Sequence, residues 1–162
     1  MNVGNVLLWG FVASLVVTAT MSAGSGLRLS RMSLPLMLGT MFTANRDRAP
    51  IIGFAAHLVL GWLLASLYAL AFESWSRTSV WLGVGIGIVH ALVVLVAVMP
   101  ILPSVHPRMA SEHRSPEPTR QLEPPGFLAL NYGRGTPLIT LIAHVFYGAI
   151  LGAFYHLTSS SQ

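Results

Sequence analysis

Long apolar runs alternate with polar stretches along the chain, and four runs dominate, at residues 3–24, 51–72, 80–99 and 136–157. The second and third contain no Asp, Glu, Lys or Arg. A hydrocarbon core of about 30 Å is crossed by about 20 apolar residues in a helix. Lipid cannot satisfy an open backbone, so each run is predicted to cross as an α-helix. A chain of 162 residues has none to spare for burying four such helices in a soluble core. The expected fold is all-α: a polytopic membrane protein, a four-transmembrane-helix bundle forming a single membrane domain over residues 1–162. Pro100 and Pro103 are expected to end the third helix. No basic segment precedes the first run, which is too long for a signal-peptide core, so it is expected to be a retained helix.

Residues 25–50 and 101–135 form long polar connections, whereas residues 73–79 form a short one. Ser33-Leu34-Pro35 has the pattern of an N-cap followed by a first-turn proline. A short interfacial or re-entrant helix over residues 34–42 follows from it. Residues 101–135 are rich in proline and read as a loop. Trp9, Tyr68, Trp75, Trp81 and Tyr155 sit near run ends, where a ring with one wet edge is favoured. Trp62 falls mid-helix and is expected to face lipid or pack.

Composition sharpens this reading. Hydrophobic residues make up 54% and charged residues 9%, against roughly 25% charged in soluble domains. The net charge is +4, and all nine cations are arginine, eight of them in the two long connections. The positive-inside rule therefore puts both long connections in the cytoplasm and both termini on the opposite side. Arginines spaced between apolar helices point to topology and lipid head groups, with no nucleic-acid partner. The absence of cysteine excludes disulfides, thiolate metal sites and thiol chemistry. No phosphate loop, nucleophile elbow, metalloprotease motif or pair of catalytic carboxylates occurs, which leans against an enzyme.

Residues 50–68 and 137–155 align without a gap at an offset of 87, with Pro50/Pro137, Ala56/Ala143, His57/His144, Gly61/Gly148, Leu64/Leu151 and Tyr68/Tyr155 among the identities. His, Gly, Leu and Tyr share one helical face at this spacing. The expected origin is tandem duplication of a two-helix hairpin. Small residues mark further faces: Gly61 with Ala65, Gly83 with Gly87, Gly148 with Gly152, and Gly10, Ser14, Thr18 and Ser22 on the first helix. Such residues let helices approach closely in lipid.

His57, His90 and His144 are the ionisable residues deep in the spans. At the helical rise they lie about 9, 15 and 12 Å from the long-loop side, so all share one half of the membrane. Intramembrane polar groups are costly and face the bundle interior. Three readings stand: ligands of a haem b or of a divalent metal, a proton or substrate relay, or imidazoles that hydrogen-bond between helices and pack the bundle. His106 and His113 flank Glu112 in the second long connection; two histidines with a carboxylate could bind a metal, but the stretch reads first as a solvated loop. His156 reads as interfacial. Met32, Met37 and Met41 suggest either a thioether cluster or the packing of a short helix.

Residues 31–39 (RMSLPLMLG), 106–109 (HPRM) and 132–137 (YGRGTP), followed by the helix carrying His144 and Tyr155, carry a resemblance over nearly the whole chain. The chain resembles a family of small bacterial four-helix membrane proteins classed as a domain of unknown function. The resemblance implies a location in the bacterial cytoplasmic (inner) membrane and supplies no activity, cofactor or site residue. The expected role is a non-catalytic accessory or assembly subunit with a buried histidine cluster. The alternatives are a histidine-ligated haem or metal protein and a small oligomeric transporter. Lipid, further copies of the chain or a larger membrane complex are the expected partners.

Overall fold

The computed structural model describes residues 1–111 and 122–158, which contain helices and no strand. The helices are α1 (Val3–Gly26), α2 (Leu34–Gly39), α3 (Ala49–Ser74), α4 (Val80–Val93), α5 (Met99–Val105) and α6 (Thr136–Phe154). A π-helical segment, Val94–Val98, joins α4 to α5. Four spans are therefore long and apolar enough to cross a membrane: α1, α3, the continuous Val80–Val105 helix, and α6.

Three boundaries differ from the sequence reading by three residues or more. The third span does not stop at Pro100 but stays helical to Val105. The π-helical segment shifts the hydrogen-bond ladder just before Pro100. Pro100 follows this shift in the ladder within the continuous helix, and Pro103 also lies inside it rather than ending it. The last span ends at Phe154, not at residue 157. The short helix α2 stops at Gly39, three residues early, and Ser33 makes no side-chain cap bond.

The spans form a bent row. α4 packs on α6, α6 on α1, and α1 on α3, while α2 lies against α3. The backbones of α3 and α4 stay apart although residues 75–79 join them directly. In lipid the hydrophobic effect does not press helices together, so close van der Waals approach must do so. Gly83, Gly87, Gly148 and Gly152 permit that approach between α4 and α6. A Cβ on Gly83 would overlap the Gly148 carbonyl oxygen, and one on Gly148 would overlap the Gly83 carbonyl. Gly87 and Gly152 meet the His144 and Ser79 carbonyls in the same way. Gly61 instead faces Ser14 of α1, and its carbonyl accepts the Tyr147 hydroxyl at 2.5 Å.

Polar contacts fasten the end opposite the long connections. Glu73 accepts the Tyr155 hydroxyl at 2.7 Å, the Thr158 amide at 2.9 Å and the Thr158 hydroxyl at 2.8 Å, tying the end of α3 to that of α6. Trp9 of α1 stacks on Phe154 of α6 with centroids 4.4 Å apart. Trp62 packs on α1, where its indole N–H donates to the Leu7 carbonyl at 2.9 Å. Outward positions are apolar: Leu63 and Leu67 of α3, Val89 and Leu92 of α4, and Phe146 of α6 are exposed. That outer surface is suited to contact with a lipid bilayer.

Candidate functional site

A cavity of about 160 Å³ lies between the spans. Its walls include Val17 and Met21 of α1, Leu60 and Leu64 of α3, Val94 and Val98 of the π-helical segment, and Thr140 and Tyr147 of α6. Leu34, Met37 and Leu38 of α2 cover one side. The histidines of three helices, His57, His90 and His144, line this one cavity. They are half-buried.

Each imidazole is held to the wall through Nδ1. His144 Nδ1 lies 2.7 Å from the Thr140 carbonyl oxygen. A carbonyl only accepts, so this nitrogen carries the proton, and the Nε2 lone pair of the neutral ring has no partner among the described residues. His57 Nδ1 lies 2.9 Å from the Thr18 hydroxyl. That hydroxyl donates its proton to the Ser14 carbonyl at 3.0 Å. With its proton placed there it accepts from His57, which leaves a second Nε2 lone pair without a partner among the described residues; turned the other way, it donates to His57 Nδ1. His90 Nδ1 meets the Tyr68 hydroxyl at 3.2 Å, where either atom can donate. Its ring stands edge-to-face with that of His144, with centroids 4.4 Å apart at 83°.

These distances bear on the haem and metal readings. Axial imidazoles stand on opposite sides of a porphyrin, whereas the rings of His90 and His144 touch each other. A cavity of about 150 Å³ accepts a single benzene ring, so about 160 Å³ does not hold a porphyrin. Among the described residues, no three His, Asp or Glu side chains are gathered to hold a metal ion.

No protein-family model, curated protein or solved structure matches the chain. Nothing is carried over from a relative, and the site rests on its own geometry.

Sequence reasoning missed several participants. Thr140 precedes His144 by one helical turn, a spacing at which the imidazole can reach back to the Thr140 carbonyl. Its own hydroxyl is buried and lacks a hydrogen-bond partner among the described residues. Thr18 reads as a small packing residue, yet it orients His57. Met21, Met32, Met37 and Met99 line the cavity, while Met41 does not.

His106 corrects the solvated-loop expectation, because it is fully buried. Its Nδ1 accepts the Arg108 amide at 3.1 Å. Nε2 then carries the proton and donates to the Met37 carbonyl at 2.9 Å. Arg108 adds a guanidinium bond to the Thr40 carbonyl at 2.7 Å, so both residues fasten this connection to the end of α2. His113 lies outside the described residues. His156 is exposed beyond the end of α6.

Burial, with a smaller contribution from Arg108, lowers the His106 pKa, against the stabilising Met37 bond. The unfolded chain binds more protons than the folded one between the depressed and the ordinary value, so acid destabilises the fold there. The His106 contribution is whole above about pH 6.5, the ordinary histidine value, and is lost as pH falls below it. Denaturation in mild detergent between pH 7.5 and 5 is expected to show this loss, and His106→Gln should flatten it. An equal slope in the variant would assign the acid sensitivity to another group.

Proposed function

We propose that the chain is a non-catalytic accessory protein of the bacterial cytoplasmic membrane that binds a small guest within the bilayer, in the cavity lined by His57, His90 and His144. The carrying observation is the hydrogen-bonding of those rings. His57 and His144 are oriented by the cavity wall with lone pairs to spare, and that is how an imidazole is set up to receive a donor or a metal ion. Imidazoles used only for packing would spend both nitrogens on neighbouring helices. The arginine distribution supports long connections in the cytoplasm and termini on the opposite side. The internal repeat supports descent from a duplicated hairpin, and α1 with α3 and α4 with α6 do pack as pairs. The glycine faces are spent inside the chain, so an oligomer or larger complex would use the outward apolar side chains.

A second reading has its own support. Four thioethers line the same cavity as the three imidazoles, and this mixture suits a soft metal ion such as Cu(I) better than zinc. One preparation separates the readings. Protein purified in native lipid without chelator is assayed for metal, for a haem absorbance band and for co-extracted small molecules, in parallel with His57→Gln and His144→Gln. A guest retained by the wild type and lost from at least one variant is the expected result. Its occupancy at 100-fold over the dissociation constant should add about 2.7 kcal/mol of stability. Retention of full function by folded His57→Gln, His90→Gln and His144→Gln, with no guest in any sample, would leave only the packing role.

A further inference from the structure

We infer that the guest is a membrane-soluble ring compound bearing hydroxyl groups, of the phenol or hydroquinone class, which enters sideways from the lipid between α3 and α4. The inference rests on the binding role proposed above and assigns its ligand.

The way in is visible in the packing. Every other adjacent pair of spans is closed, but the backbones of α3 and α4 are separated along the cavity. Leu60 of α3 and Val98 of the π-helical segment line the cavity and are also 43% and 44% exposed, so they mark where it meets the outside. That outside is the apolar belt. A guest arriving there is dissolved in lipid. The π-helical segment borders the opening, and such segments recur at functional sites.

Size and lining select the head group. A cavity of about 160 Å³ matches one six-membered ring, by comparison with about 150 Å³ for benzene. Leucine, valine and methionine side chains make up most of the wall and favour an uncharged ring.

Hydrogen bonding selects the substituents. The Nε2 lone pair of His144, and that of His57 when the Thr18 hydroxyl donates to Ser14, have no donor among the described residues. Thr140 is among the residues around the cavity, and its buried hydroxyl has no partner among the described residues. An unsatisfied buried hydroxyl is costly, which points to an absent partner. A ring hydroxyl donates to an imidazole, and a shift of the Thr140 side chain toward the cavity would let the same hydroxyl accept from it. A quinone carbonyl or an aryl ether offers acceptors alone, and these would oppose the two lone pairs.

The experiment uses the full chain in lipid nanodiscs and a hydroquinone carrying a short prenyl tail. Its quinone and its dimethyl ether serve as matched probes, and binding is read from ¹⁵N shifts of labelled histidine and from thermal stability. The hydroquinone is expected to bind at least tenfold more tightly than either probe and to move the His57 and His144 signals. His144→Phe should lose at least tenfold, while His144→Gln, which keeps an acceptor, should recover part of it. Melting curves of both variants establish that they fold. A photoreactive diazirine on the tail should mark peptides of α3 and of the Val80–Val105 span, not the lipid face of α1. Equal binding of all three probes, or no binding, overturns the inference. If a metal or another small molecule is then found in the cavity, the general binding role survives. If nothing binds, both fall.

Discussion

Replacing Gly148 by alanine is expected to cost about 3 kcal/mol or more, the upper range for overpacking, because the obstacle is backbone and not a mobile side chain. The added Cβ would overlap the Gly83 carbonyl oxygen and carbon, and would also crowd the Gly87 Cα at 3.2 Å. Rotation of a neighbouring side chain gives no relief, so α4 and α6 must separate along the face they share. That separation also parts His90 from His144. Gly85→Ala is the control. It lies in α4, the helix that Gly148 packs against, at a position where an added Cβ meets nothing within 4 Å, and alanine is the better helix former by about 1 kcal/mol. Unfolding by SDS, followed by tryptophan fluorescence, should show Gly148→Ala largely unfolded where Gly85→Ala resembles the wild type. Equal midpoints would mean that the α4–α6 contact is looser than described.

The second large effect is expected at Gly53, on the other side of the cavity. A Cβ there would overlap the Pro35 carbonyl oxygen and approach the Gly39 nitrogen to 2.5 Å. Both belong to α2, which supplies Leu34, Met37 and Leu38 to the cavity wall. Gly53→Ala should lift α2 from α3 and break the His106–Met37 and Arg108–Thr40 bonds that hold α2 from behind. α2 packs on α3 and touches α1 only slightly, so the contacts among the four long spans stay in place. The expected outcome is therefore selective: helix content stays within a few percent of wild type by circular dichroism, while guest binding falls at least tenfold and protease sensitivity rises near residues 27–48. Unchanged binding with α2 displaced would show that α2 is no part of the site.

The four spans were readable because apolar length alone decides whether a helix crosses a bilayer. The third boundary was not. A proline normally ends a helix, yet here a π-helical shift precedes Pro100 and the helix runs on through Pro103 to Val105. The three intramembrane histidines could be read as facing the interior, since no other placement is tolerable in lipid. Their tautomers could not, because these depend on the Thr18 hydroxyl and the Thr140 carbonyl. His106 was hidden for a related reason: a polar, proline-rich stretch looks solvated, and its burial comes from contact with α2, more than sixty residues earlier. Least readable was the opening between α3 and α4. A short connection implies packed neighbours, yet the glycine face of α4 turns to α6 and leaves α3 unpaired along that side.

That opening is spanned among the described residues by a single side-chain hydrogen bond between α3 and α4, from Tyr68 to His90. Such a bond in a membrane averages about 0.6 kcal/mol, too little to act as a rigid strut. The width of the opening is then shared between the protein and the lateral pressure of the surrounding chains. Thinner or more crowded bilayers would reset it without any change in the protein. The lipid is in this sense part of the wall, and an assay in detergent and one in bilayer would be measuring two different vestibules.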